Sequence, residues 1–279
     1  MQKTELNIEG AKGKTILMDI TYLPHEKPKP IILFCHGFKG FKDWGHFNLI
    51  ADEFAKNNFV FIKFSFSHNG TTAEHPTDFV DLDAFGKNNF SIELEDIDCV
   101  LDYIYKNATS FNGNSEQITL IGHSRGGGIS ILKAANTTKI QQLVTWASIK
   151  DLNDFFSKIN INNWESTNIE YTYNTRTKQN LPLYFQLYED YLLNKEKLNI
   201  QKSANSIHIP WLIIHGTKDN SVPVECANSL HQWNRGSKLA LIPNADHTFG
   251  GKHPWATKEL PDFTKELIKE TLLFLTTKN

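Results

Sequence analysis

The chain has 279 residues, 40% of them hydrophobic and 22% charged, which suits one large α/β domain or two small ones. A formal net charge of −2 with scattered lysines gives no electrostatic footing for nucleic acid or an anionic membrane. No apolar run approaches the ~18 residues that a membrane span needs, and the opening "MQKTELNIEG" lacks the apolar core of a secretory signal.

In chain order, "TELNIEG" and "TILMDITYL", joined through "AKGK", predict an antiparallel hairpin. "KPIILFCHGF" (29–38), "NFVFIKFSF" (58–66), "QITLIGHS" (117–124), "IQQLVTWAS" (140–148), "IPWLIIHG" (209–216) and "SKLALIPN" (237–244) read as strands. Several are nearly continuous apolar runs, as expected when helices cover both faces of a sheet. Helical spacing recurs near 43–56, 126–136, 223–233 and 262–276. It is clearest over 91–105, where Leu94, Ile97, Leu101 and Ile104 follow Ser91 as N-cap. This alternation predicts an α/β fold with a mostly parallel, doubly wound sheet. Residues 1–150 and 207–279 form the expected core. Residues 151–206 contain no convincing strand and five of the eight tyrosines, four residues of one helical face being Tyr184, Leu187, Tyr188 and Tyr191. They read as a helical lid insertion, or as a helical extension packed on the core.

The three cysteines, Cys35, Cys99 and Cys226, are odd in number and far apart. They offer neither a disulfide framework nor metal-ligand spacing, so buried free thiols and a cytoplasmic location are expected. The polar stretch 67–89 carries His68 and His75 without regular ligand spacing, so it reads as a surface loop and no metal is expected.

The stretch that carries chemistry is "TLIGHSRGGGIS" (119–130), where Gly122 and Gly126 flank Ser124 in a G-x-S-x-G pattern. A strand precedes it and a helix follows. A serine on such a sharp turn occupies a sparsely populated backbone region, and the glycines remove the clashes that bulkier neighbours would make. Its hydroxyl needs a base to become a nucleophile. His247, after the last predicted strand, would reach the same sheet edge, and Asp219, after the penultimate one, would fix the imidazole's tautomer. Asp246 reads as a loop cap instead. Arg125 and Phe38 would supply the backbone N–H groups for a developing oxyanion, Phe38 through the loop "FCHGFKG". His36 reads as a structural hydrogen-bonder, and His253 as structural or exposed.

On "HGF" (36–38), "GHSRGG" (122–127), "HGTKDNSVP" (215–223) and "ADHTF" (245–249), the chain resembles serine hydrolases of the α/β-hydrolase superfamily. Within it, the chain resembles cinnamoyl and feruloyl esterases, serine aminopeptidase-like and dienelactone hydrolase-like proteins. The resemblance implies Ser124 as nucleophile, His247 as base, Asp219 as orienting acid and the Phe38 and Arg125 N–H groups as oxyanion hole. Dienelactone hydrolases proper carry cysteine where this chain has Ser124. The expected activity is cleavage of a small-molecule carboxylic ester through an acyl-enzyme, with no metal or organic cofactor. A peptidase would instead need a carboxylate for the substrate's amine, and Glu165, Glu170, Glu189 and Asp190 are the candidates. A non-catalytic binding protein of the same fold is the reading from another class. A homodimer is allowed and not required.

Overall fold

The computed structural model describes residues 1–277. Strands β1 (Gln2–Glu9) and β2 (Thr15–Tyr22) pair antiparallel, as the two N-terminal segments predict. Next come β3 (Lys29–Cys35), α1 (Phe47–Lys56), β4 (Val60–Ser65), α2 (Leu82–Lys87), α3 (Phe90–Asn107), β5 (Gly113–His123), α4 (Arg125–Ala134) and β6 (Gln142–Trp146). An insertion then holds α5 (Ile161–Thr167), β7 (Ile169–Asn174), β8 (Gln179–Tyr184), α6 (Gln186–Leu193) and α7 (Ile200–Ser206). The chain returns to the sheet with β9 (Trp211–Gly216), α8 (Glu225–Trp233), β10 (Lys238–Ile242) and α9 (Asp262–Thr276).

Eight strands form one sheet in the order β1-β2-β4-β3-β5-β6-β9-β10, parallel from β4 to β10. Alternation along the buried strands splits the core in two. Ile31, Leu33 and Cys35 of β3, with Val60, Ile62 and Phe64 of β4, face one layer. Ile32, Phe34 and Phe61 face the other, which is closed by Phe54 of α1 and by Leu267 and Ile268 of α9. That is why the sequence shows unbroken apolar runs rather than alternation. From β3 the chain steps to β4 on one side, then crosses back to β5 on the other. The direction of winding therefore reverses between β3 and β5, and a crevice opens at their carboxyl ends.

Three expectations are corrected. Residues 169–184 form a two-stranded hairpin, not helix, and Tyr184 closes β8 one residue before Phe185 begins the turn into α6. Its sequence "IEYTYN" does alternate, but Tyr171 and Tyr173 point to solvent, so no apolar face announces a strand. Asn89, not Ser91, caps α3, its side chain accepting from the Ile92 N–H at 2.9 Å. Finally, 67–89 is no simple surface loop: Ser67, His68, Asn69 and Phe79 are buried, and the stretch includes α2. Cys35 and Cys226 are buried free thiols, while Cys99 is half-buried.

The insertion holds itself together through aromatic rings. Trp164 is fully buried, packs on Phe156 and Phe185, and donates its indole N–H to the Leu183 carbonyl at 2.8 Å. Tyr188 and Tyr191 pack on Phe156, and Tyr191 reaches Phe90 of α3. Each such ring pair contributes roughly 0.5–1.5 kcal/mol beyond its burial. The lid tyrosines are thus packing groups or exposed, and none lines the cavity described next.

Candidate active site

Ser124 stands where β5 ends and α4 begins, at φ 57° and ψ −122°. This is costly for a residue with a Cβ, and the surroundings hold it there. Its N–H donates to the Trp146 carbonyl at 2.9 Å, and its own carbonyl receives the Gly127 N–H at 2.9 Å. A Cβ on Gly122 would lie 2.3 Å from the Gly126 carbonyl oxygen, and one on Gly126 would lie 2.4 Å from that of His36. Both glycines are therefore demanded by close approach of backbone to backbone.

Two other strand ends meet this turn. His247, in the loop after β10, presents Nε2 to the Ser124 hydroxyl at 3.0 Å, and its Nδ1–H donates to Asp219 Oδ2 at 2.7 Å. Asp219 follows β9. Its Oδ1 accepts the Ser221 and Val222 N–H groups at 2.8 Å each. These donors, with His215 and His247, outweigh the cost of burial and hold its carboxyl below the usual carboxylate range. His215 was not singled out in the sequence. It donates Nε2–H to the Val222 carbonyl at 2.8 Å and approaches Asp219 Oδ2 at 3.3 Å. His123, also unanticipated, packs at a 45° tilt against the His247 ring, centroids 4.8 Å apart, and donates Nε2–H to the His247 carbonyl at 2.9 Å. Burial pushes its pKa down to about 3, so it is neutral there.

The loop after β3 forms the opposite wall. A Cβ on Gly37 would sit 2.9 Å from Ser124 Cβ, so only glycine permits this approach. Among the described residues, neither the Phe38 N–H nor the Arg125 N–H has an intramolecular acceptor. Arg125 opens α4, where the first amide groups lack helical partners. Its guanidinium pairs with buried Glu93 and lies 4.4 Å from the Phe38 ring centroid, so the two residues brace each other. His36 is buried. It accepts the Phe66 N–H on Nε2 at 3.2 Å, donates Nδ1–H to the Gly37 carbonyl at 2.8 Å, and has its pKa pushed down to about 4 by burial. Below the loop, Lys42 and fully buried Lys63 both pair with Asp19 and Asp43.

Asp246 caps its loop as expected, accepting the Gly250 N–H at 2.8 Å. His253 is half-buried, accepts the Gly45 N–H at 2.8 Å and packs on Phe41. A cavity of about 270 Å³ opens beside Ser124 and His247, walled by the β3 loop, by His253, and by Asn174, Thr175 and Arg176 at the β7–β8 turn. This is near the lower end of the roughly 300–1,000 Å³ common for small-molecule sites. Larger cavities elsewhere lie away from these residues.

This architecture is that of the α/β-hydrolase superfamily, of an esterase-like form. A family model described as BD-FAE matches residues 18–234, and the chain belongs to that family. No curated protein matches. Among solved structures, Est1E of Butyrivibrio proteoclasticus with ferulic acid bound is similar at a TM-score of 0.73 and 18% identity, over 98% of this chain and 100% of that one. An esterase domain from Rhodothermus marinus is similar at 0.65 and 17%, over 98% of each. A puromycin-hydrolysing peptidase of Mycobacterium tuberculosis is similar at 0.65 and 12%, over 98% of this chain and 39% of that one. These identities speak for the shared fold. No helix among the described residues is long and apolar enough to cross a membrane.

Proposed function

We propose that the chain is a serine hydrolase of carboxylic esters, acting through an acyl-enzyme. One observation carries this reading: an unbroken line of hydrogen bonds from the Ser124 hydroxyl through His247 to Asp219, beside two unpaired N–H groups. Ser124 Oγ attacks the ester carbonyl carbon as its proton passes to His247 Nε2. The oxyanion rests on the N–H groups of Phe38 and Arg125, each such donor being worth ~3 kcal/mol to the transition state. As the bond to the leaving oxygen breaks, His247 returns the proton to it. Water, deprotonated by His247, then attacks the acyl-enzyme, and Ser124 leaves with the acid released. The insertion acts as a lid whose hairpin turn forms one wall of the cavity.

The peptidase reading has less support. Among the described residues, no carboxylate lines the cavity to receive a substrate amine. Glu165 and Glu189 are exposed, Glu170 bonds the Tyr171 N–H, and Asp190 receives the Ser91 N–H. A fluorophosphonate probe is expected to label the wild-type chain and not Ser124→Ala. p-Nitrophenyl acyl esters are expected to turn over faster than aminoacyl-p-nitroanilides. A folded chain that stays unlabelled favours a binding protein, and faster amide turnover favours the peptidase.

A further inference from the structure

We propose that the cavity beside Ser124 takes a short ester that carries a second, ionised carboxylate, received by the Lys39 ammonium and the Arg176 guanidinium. As a statement about a substrate it rests on the hydrolase reading above; as a statement about a binding site it stands alone.

The argument is one of unbalanced charge. Lys39 and Arg176 line the cavity, together with His36, His123, His247 and His253. Among the described residues, neither aspartate nor glutamate lines it. The acids that stand close by are engaged: Asp43, beside cavity-lining Trp44, pairs with Lys42 and Lys63, and Asp246 accepts the Thr248 and Gly250 N–H groups. Asp219 lies behind His247 and is bonded to it. Asp78, half exposed, meets Arg176 Nη1 at 3.4 Å, a long contact.

Lys39 is the residue after Phe38, so its side chain belongs to the loop that approaches the reacting carbonyl. It is half-buried, and burial lowers its pKa. Its Nζ donates to the Tyr173 carbonyl at 2.7 Å and lies 5.4 Å from the Phe38 ring centroid, with no carboxylate partner. The buried lysines of the same wall behave otherwise: Lys42 and Lys63 each meet two aspartates. A carbonyl occupies one of three ammonium donors and supplies no compensating charge. A half-buried cation in that state is destabilised by partial desolvation, which an incoming anion would relieve.

Arg176 is held ready on the other side. Its Nη2 donates to the Thr77 carbonyl at 2.8 Å, and the guanidinium lies 5.3 and 5.6 Å from the rings of Phe41 and Phe79. A guanidinium fixed by stacking loses little freedom when it receives a carboxylate. The Lys39–Tyr173 bond ties the β3 loop to the hairpin that carries Arg176, so the two cations line one cavity from walls that are joined. The small cavity limits the spacer between the two carbonyl groups of the substrate to a few atoms.

Two pairs of compounds test this. Monoethyl glutarate and its neutral primary amide place the extra group on the acyl half; butyryloxyacetate and its amide place it on the alcohol half. For at least one pair, the anion is expected to exceed the amide in kcat/KM by on the order of tenfold, the scale of one charged hydrogen bond. That ratio should fall to near one in Lys39→Met, return in Lys39→Arg, shrink in Arg176→Met, and shrink with added salt. Ratios at or below one for both pairs, or a preference untouched by Lys39→Met, overturn the proposal. Calorimetry on the Ser124→Ala chain reads the same preference as affinity. If the wild type cleaves none of the four, the fluorophosphonate label decides the hydrolase reading, and the Lys39-dependence of binding alone decides this one.

Discussion

Asp219 divides its two oxygens between two tasks. Oδ1 receives two backbone N–H groups of its own loop, and Oδ2 receives the His247 Nδ1–H. An asparagine would keep its carbonyl on the backbone donors and turn its NH₂ toward His247, which can then accept only through the wrong tautomer. Asp219→Asn is therefore expected to fold normally and to lose about 10⁴-fold in kcat, in line with what that tautomer error costs serine hydrolases. Ester kinetics with a thermal melt check both halves; a loss under tenfold would remove Asp219 from its assigned role. Ser124, Asp219 and His247 were legible in the sequence because each follows a strand that ends at the same edge, and because glycine spacing marks the serine. Lys39 and Arg176 were not. Lys39 sits in plain view after Phe38, yet a lysine in a loop reads as solvated, and only the fold shows that no acid faces it. Lys63 carries the same lesson: it interrupts an apolar run, and its two aspartates come from other parts of the chain.

At the scale of elements, the β5–α4 turn depends on contacts between main chains that cannot yield. In Gly122→Ala the new methyl would press on the Gly126 carbonyl at 2.3 Å and on Ser130 Oγ at 2.4 Å. Overpacking of this kind typically costs about 1–3 kcal/mol, and a forced backbone shift puts it at the upper end. Gly236→Ala makes the comparison, since its methyl would meet only Asn234 Oδ1, at 3.3 Å. Urea titration should show a much lower midpoint for the first variant and near wild-type behaviour for the second. Similar midpoints would mean the turn is softer than the geometry implies. The parallel strands were readable because burial on both faces leaves unbroken apolar runs. The β7–β8 hairpin was not: its outward tyrosines erase the binary pattern, and Pro182 argues against a strand. That proline is tolerated because a two-stranded ribbon has only edges.

For the whole molecule, buried neutral histidines set the acid limit. Burial pushes the pKa of His36, His46 and His68 down to about 4, and that of His123 to about 3. The unfolded chain takes up those protons near pH 6.5, the folded one only at these lower values, so stability is fully present above pH 6.5 and drains as pH falls through this window. Asp96 opposes them: burial raises it to about 6, so the folded state gains a proton first and regains stability there. Four histidines against one aspartate leave a net loss on the order of 5 kcal/mol between pH 6.5 and 5. Denaturant melts at the two pH values check this, and equal stabilities would contradict it.

The insertion leaves the sheet after β6 and returns at the adjacent β9, so its hairpin hangs over the crevice as an outgrowth rather than as a member of the layers beneath. On the hydrolase reading proposed above, rewriting the few polar residues at its tip would change which molecules are admitted while the Ser124, His247 and Asp219 line stays as it was. Such a scaffold can acquire new clients without solving its folding problem again.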